Sequence, residues 1–151
     1  MTVTLRLAKR DEVPAIVAML ADDGLGRGRE VLSDPTVYYD AFDAMAGDPN
    51  NRLLVAEKNA ELVGTLQITF IRGLSRKGAR RAQIEAVRVA STHRGQGLGH
   101  EIFVAAIALA RKEGCSLVQL TTDKARGDAH RFYAQLGFVA SHEGMKLALD
   151  P

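Results

Sequence analysis

The chain has 151 residues, 46% of them hydrophobic and 25% charged. That suffices for one ordinary domain that buries about 70% of its unfolded surface without disulfides, and the single cysteine, Cys115, has no internal partner in any case. A secreted disulfide scaffold is excluded. No apolar run approaches the roughly 18 residues that a membrane span needs. The opening Met-Thr-Val-Thr-Leu-Arg carries no secretory pattern. The expectation is one domain over residues 1–151 in the reducing cytoplasm, with neither a membrane nor a nucleic acid as partner. Twenty basic and 18 acidic residues leave a net charge of only +2, which is no nucleic-acid footprint. The notable charge is local: Arg72, Arg76, Lys77, Arg80 and Arg81 fall within ten residues that hold no acid.

Val3, Leu5 and Leu7 alternate with polar residues and predict a strand. Asp11 and Glu12 suit a helix N-terminus, and Ile16, Met19 and Leu20 continue the helix to a segment containing Gly24, Gly26 and Gly28. Ser33-Asp34-Pro35 predicts a second helix, with Pro at its first position and a stripe of Tyr38, Ala41, Phe42 and Met45 ending at Gly47. Residues 53–56 and 62–70 read as a hairpin that turns at Asn59-Ala60. After the basic loop comes a strand over 83–89, then a long helix over about 97–113. Leu98, Ile102, Ala105 and Leu109 form the apolar face of that helix, and Gly114 is its left-handed stop. Residues 117–120 predict a buried strand, and Asp128 caps a helix that runs through Gln135 and stops at Gly137. One or two strands are expected over 138–149. The order is β-α-α-β-β-β-α-β-α-β, an α/β or α+β sheet of mixed direction.

The stretch richest in chemistry runs from Glu85 through Arg94 to Gly99 and leads into the long helix. A strand that ends in a glycine-rich turn at a helix start forms an anion site, because the first backbone N–H groups lack intrahelical partners and the helix dipole adds positive charge. Gly95, Gly97 and Gly99 allow close approach of the backbone to a polyphosphate, and Arg94 adds a fixed charge. The lysine and hydroxyl of a P-loop are missing, and His100 stands where a dinucleotide fingerprint needs its last glycine. The competing reading is a tight turn with no ligand.

Arg94-x-x-Gly97-x-Gly99 after Val87-Arg88-Val89, followed 34 positions beyond Gly99 by Tyr133 within Ala129-His-Arg-Phe-Tyr-Ala-Gln-Leu-Gly-Phe138, resembles the acetyl-coenzyme A signature of the GNAT acetyltransferase superfamily. Within it, Leu120 to Tyr133 is similar to aminoalkylphosphonate N-acetyltransferases. The resemblance implies a mixed, largely antiparallel central sheet flanked by four helices, with acetyl-CoA as acetyl donor. It implies a pyrophosphate held by the backbone of residues 94–99, and a pantetheine arm laid along Val87 and Val89 in a gap beside that strand. Cofactor contacts are then expected at Val87, Arg88, Val89, Arg94, Gly95, Gln96, Gly97, Leu98, Gly99 and His100, and further along at Arg126 and His130. Arg126 stands where the family often carries Asn.

Strand alternation places Glu85, Val87 and Val89 on one face, with Glu85 about 13 Å from Val89 towards the reactive end of the arm. Acetyl transfer to an amine poses two proton problems. An alkyl amine of pKa about 10.4 is neutral in roughly one molecule in 2,500 at pH 7, a handicap of about 4.6 kcal/mol, and the leaving thiolate needs a proton. Glu85 is the candidate base, directly or through water, provided that burial tunes it. Tyr133 resembles the family's general acid. A ternary complex suffices, with no covalent enzyme intermediate.

Structural alternatives stand beside these roles. Tyr133 also suits a core position next to Phe132 and Phe138, and Glu85 also suits an ion pair with Arg81 or Arg88. The basic loop suits either a solvated connection or attraction of an anionic acceptor, with Arg81, and Arg27 and Arg29 from the other side, contributing. Arg29, Arg81 and Glu85 are therefore the expected acceptor contacts. The four histidines have no metal-ligand spacing. The reading favoured is an acetyl-CoA-dependent N-acetyltransferase acting on a primary amine of a small molecule. A protein lysine or N-terminal acetyltransferase and a non-catalytic acetyl-CoA-binding module are the alternatives. A homodimer through the strands of 138–149 is a further expectation.

Overall fold

The computed structural model describes residues 2–23 and 28–149. Gly24, Gly26 and Arg27, named above, lie outside them. The chain packs as two units, Met1–Gln119 and Leu120–Pro151, taken in turn.

In the first unit, β1 (Thr4–Leu7) leads through a single 3₁₀ turn, Arg10–Glu12, into α1 (Val13–Ala21). Glu12 Oε1 accepts the Lys9 N–H at 2.7 Å and closes that turn. Next come α2 (Thr36–Ala46), β2 (Asn51–Lys58), β3 (Glu61–Arg72), a four-residue turn α3 (Ser75–Gly78), β4 (Arg80–Val89), α4 (Leu98–Lys112) and β5 (Leu117–Gln119). The sheet runs in chain order, β1-β2-β3-β4-β5. Its first three pairings are antiparallel and the last is parallel.

The β2–β3 hairpin forms as expected, with Asn59 and Ala60 both at positive φ (53° and 63°), the conformation of a two-residue primed turn. Val55 on one sheet face packs against Ile16 and Met19 of α1. Gly64 is on the other face, where a Cβ would meet Ile102 of α4 at 2.7 Å. Helices thus cover both faces. Leu66, Ile68, Leu98 and Ile102 are fully buried, each contributing about 1.5–3 kcal/mol by leaving water. Thr65, a polar residue in that core, is satisfied because its hydroxyl donates to the Leu54 carbonyl at 2.8 Å.

Several expectations shift. Pro35 is the cap of α2 rather than its first residue, and Asp34 accepts the Thr36 N–H. Tyr38, Phe42 and Met45 of its stripe are half-buried while Ala41 is exposed. The buried face of α4 is Leu98, Ile102, Phe103, Ala106 and Ala110, rotated so that the large Phe103 side chain lies in the core and the expected Ala105 and Leu109 are half-buried at its margin. β5 is half-buried rather than buried, since it is an edge strand. The basic loop shrinks to a turn, as Arg72 ends β3 and Arg80 and Arg81 open β4. Arg80 is tied down: it donates to the Glu113 carbonyl at 2.6 Å and to Asn50 at 2.7 Å, and lies over the Phe70 ring.

In the second unit, α5 (Gly127–Gln135) has Arg126 as its cap and Asp128 in its first turn, so the expected cap is displaced by two residues. Gly137 follows at φ 97°. Residues 138–149 form no strand. Val139, Met145, Leu147 and Leu149 are all at least 80% exposed, so the apolar alternation that predicted strands finds no ladder to join.

Candidate active site

β4 is the strand on which the site is built. Its partner residues on β3 are Gln67 for Glu85 and Thr65 for Arg88, so Ala86 and Val87 together oppose the single residue Leu66. Ala86 has φ 54°, a left-handed conformation that costs an alanine about 1–2 kcal/mol. This bulge corrects the simple alternation: Glu85 shares a face with Arg88, and Val89 belongs to the opposite face beside Gly64.

The β4–β5 ladder spans only Arg81–Gln83 and Leu117–Gln119. Past Gln83, β4 has no strand partner on that side among the described residues, and those of its amides and carbonyls from 84 to 89 that point away from β3 form an edge that an extended ligand arm can join. That edge contains Val87, Arg88 and Val89.

Beyond β4 a 3₁₀ turn, Ser91–His93, leads to Arg94 and the glycine run. Gly95 and Gly97 have φ 79° and 75°, and a Cβ at either would meet nothing within 4 Å. The glycines are therefore demanded by backbone conformation and not by crowding. Among the described residues, the amides of 95–100 donate to no backbone carbonyl, and the first amide to do so is Glu101, to Gly97 at 3.3 Å. Six successive N–H groups with no backbone partner among the described residues, at left-handed turns and a helix start, form a donor surface suited to a phosphate. Leu98 anchors this surface, its side chain 2% exposed in the core. Gln96 and His100 are exposed beside it.

Two acids that sequence reasoning missed sit at this end of β4. Arg94 Nη2 donates to the Asp22 carbonyl at 2.8 Å and to its carboxylate at 3.3 Å. Arg88 Nε lies 2.6 Å from Asp23 Oδ2 as an ion pair. The available signal was a pair of acids at the end of α1, before the glycine-rich segment.

Arg81, Gln83 and Glu85 share one face of β4 at alternate positions. Glu85 is exposed and accepts from Gln83 Nε2 at 3.2 Å. The ion pairs considered for it, with Arg81 or Arg88, do not form, and the burial that its role as base invoked is not present. Arg29 is exposed.

In the second unit, Tyr133 is half-buried in α5, its ring edge-on to Phe132 (5.4 Å) and Phe138 (5.9 Å). Its carbonyl accepts the Phe138 N–H at 3.0 Å. The packing beside Phe132 and Phe138 that the structural alternative expects is therefore present. Arg126 and His130 are exposed on the same helix start, joined by the His130 N–H donating to the Arg126 carbonyl at 3.2 Å. Among the described residues no cluster of three metal-ligating side chains occurs, and no helix is long and apolar enough to cross a membrane.

Comparison with known proteins agrees with this geometry. The model of the acetyltransferase (GNAT) family matches residues 17–138. The aminoalkylphosphonate N-acetyltransferase of Salmonella typhimurium (strain LT2) is 33% identical over 109 residues, 72% of this chain and 70% of that protein. A crystal structure from Bacillus halodurans C-125, described as a transcriptional regulator, superposes with a TM-score of 0.91 at 50% identity, covering 97% of this chain and 99% of that one. A structure from Agrobacterium tumefaciens str. C58, assigned as an acetyltransferase, gives 0.84 at 25% identity over 97% and 99%. The chain belongs to the GNAT family of acetyltransferases, and its activity class is N-acetyltransferase.

Proposed function

We propose that the protein, a single acetyltransferase domain over residues 1–151, transfers an acetyl group from acetyl-CoA to the primary amine of a small molecule by direct attack in a ternary complex. The carrying observation is the run of unpaired amides at 95–100 directly after the open edge of β4. These residues fit the donor that this family uses: the amides and Arg94 would hold its pyrophosphate, and residues 84–89 its extended arm. Gln96, Leu98 and His100 would take part through their backbone. Arg126 and His130, exposed at the start of α5, are the proposed further contacts. When bound, acetyl-CoA supplies an activated thioester.

Glu85 would take the proton of the acceptor ammonium, and the Tyr133 hydroxyl would return one to the departing thiolate. Arg81 lies on the Glu85 face of β4, four residues and about 13 Å along it. A carboxylate at one end and a guanidinium at the other suit an acceptor with an amine and an anionic group. The similarity to an aminoalkylphosphonate N-acetyltransferase supports that class. Arg29 is proposed to add to the positive end. The exposed apolar residues of 139–149 are the surface proposed for a homodimer. The free thiol of Cys115 suits the cytoplasm as its compartment.

The test is thiol release from acetyl-CoA across a panel of amines, including aminoalkylphosphonates, amino sugars and a lysine peptide. Turnover fastest with small anionic amines supports the reading. Tight cofactor binding with no turnover, or turnover confined to the peptide, refutes it.

A further inference from the structure

The sheet rows across β4 hold more polar side chains than a surface between helices requires. Asn51, Thr69, Gln83 and Gln119 are aligned on four successive strands, and Gln67 with Glu85 forms the next row on the same face. Their hydrogen bonds have a direction. Gln119 Nε2 donates to Gln83 Oε1 at 2.9 Å, and Gln83 Nε2 donates to Glu85 Oε1 at 3.2 Å. Gln67 Nε2 donates instead to Asn51 Oδ1 at 2.8 Å, away from Glu85.

A primary amide has one acceptor end and one donor end. With its oxygen occupied by Gln119, the Gln83 amide can present only its NH₂ towards Glu85. Gln119 thus fixes which way Gln83 faces, and Gln83 holds one carboxylate oxygen, leaving Oε2 of Glu85 to the acceptor. Glu85 is exposed, so it has many rotamers to choose among and little packing to select one.

We propose that Gln83 is a positioning residue for the Glu85 carboxylate, with Gln119 on the neighbouring strand setting its orientation. The proposal rests on the reading of Glu85 as the base that accepts the amine proton. The line of amides keeps that base aimed along the open edge of β4 without burying it. The three side chains share one sheet face, so the device needs no loop to close.

A double-mutant cycle on the full chain tests it, with kcat and the KM for each substrate measured in the variants Gln83→Leu, Gln119→Leu, Glu85→Gln and Gln83→Leu/Glu85→Gln. Gln83→Leu is expected to lower kcat about tenfold, the scale of one hydrogen bond to a charged group, with the KM for acetyl-CoA unchanged. Gln119→Leu should give a smaller loss in the same direction. In the Glu85→Gln background, Gln83→Leu should have no further effect. An equal loss in both backgrounds would mean a merely structural role and overturn the proposal. Unchanged kcat in Gln83→Leu, with Glu85→Gln slow, overturns the positioning role and leaves Glu85 as base. If Glu85→Gln itself turns over normally, both the base assignment and the positioning role fall.

Discussion

Arg94 and Asp22 are bound to one another twice through a single guanidinium nitrogen, at the carbonyl and at the carboxylate. The cation at the head of the amide cradle is therefore already matched with an acid from the end of α1. An anion arriving on the amides of 95–100 competes with that acid for Arg94. Both side chains are nearly half exposed, and such a pair contributes about 0–1 kcal/mol.

Arg94→Ala should therefore weaken acetyl-CoA binding about tenfold through loss of a charge-assisted contact, while the melting temperature changes by no more than about 4 °C. Asp22→Ala should tighten binding about two- to threefold by removing the competitor. Calorimetric titration with acetyl-CoA, set beside thermal melts, checks both. A large fall in melting temperature with unaltered affinity would make the pair a structural tie.

Tyr133→Phe separates catalysis from packing. Phenylalanine keeps the edge contacts to Phe132 and Phe138 and loses only the hydroxyl. Turnover should drop by about 10²-fold or more with the melting temperature close to wild type. A variant as fast as wild type would leave Tyr133 a packing residue alone.

Gly64 has little room. A Cβ there would stand 2.7 Å from both the Arg88 carbonyl oxygen and Ile102 Cδ1. The isoleucine tip can rotate away, but the carbonyl belongs to the neighbouring strand. Gly64→Ala should cost about 1–3 kcal/mol, a fall of about 2–12 °C in melting temperature. Unaltered thermal stability would show that β3 and β4 can spread at the bulge.

Acid stability carries the mark of Glu12. Hydrogen bonds from Arg6 at 2.7 and 2.9 Å hold its carboxyl at a pKa of about 2, against an ordinary 4.5, with burial opposing and the Lys9 amide assisting. The folded carboxyl binds its proton less readily than the unfolded one. The stabilisation is thus present above about pH 4.5 and lost as pH falls towards 2. Partial exposure screens it to about 1 kcal/mol. Glu12→Gln should remove that part of the decline between pH 4.5 and 2, as measured by urea midpoints across the range.

Much of the architecture was legible because it rests on local chemistry. Asn59-Ala60 marks a turn, Gly114 and Gly137 mark helix ends, and the glycine run after Arg94 marks left-handed turns at a helix start. The remainder depended on partners distant in the chain. Alternation assumes a regular ladder, so no pattern in β4 reveals that Ala86 is an inserted residue, and Glu85 and Val89 were placed on one face. Arg80 reads as part of a basic cluster until Glu113, Asn50 and Phe70 come to it. Asp22 and Asp23 show nothing of their role until β4 supplies Arg94 and Arg88. In 138–149 the apolar alternation is real, but a strand also needs a neighbour to pair with.

The extra residue at Ala86 sits between two stretches of β4 with different duties. Upstream, Arg81 to Glu85 is the stretch proposed to meet the acceptor; downstream, Val89 and the turn after it are proposed to meet the phosphates. Because both stretches remain in register with β3, excising Ala86 would leave every flanking pair where it is and remove only the kink. The strand works as a hinged ruler, and shortening it by one mark would reveal how much of the chemistry depends on its angle and how much on its length.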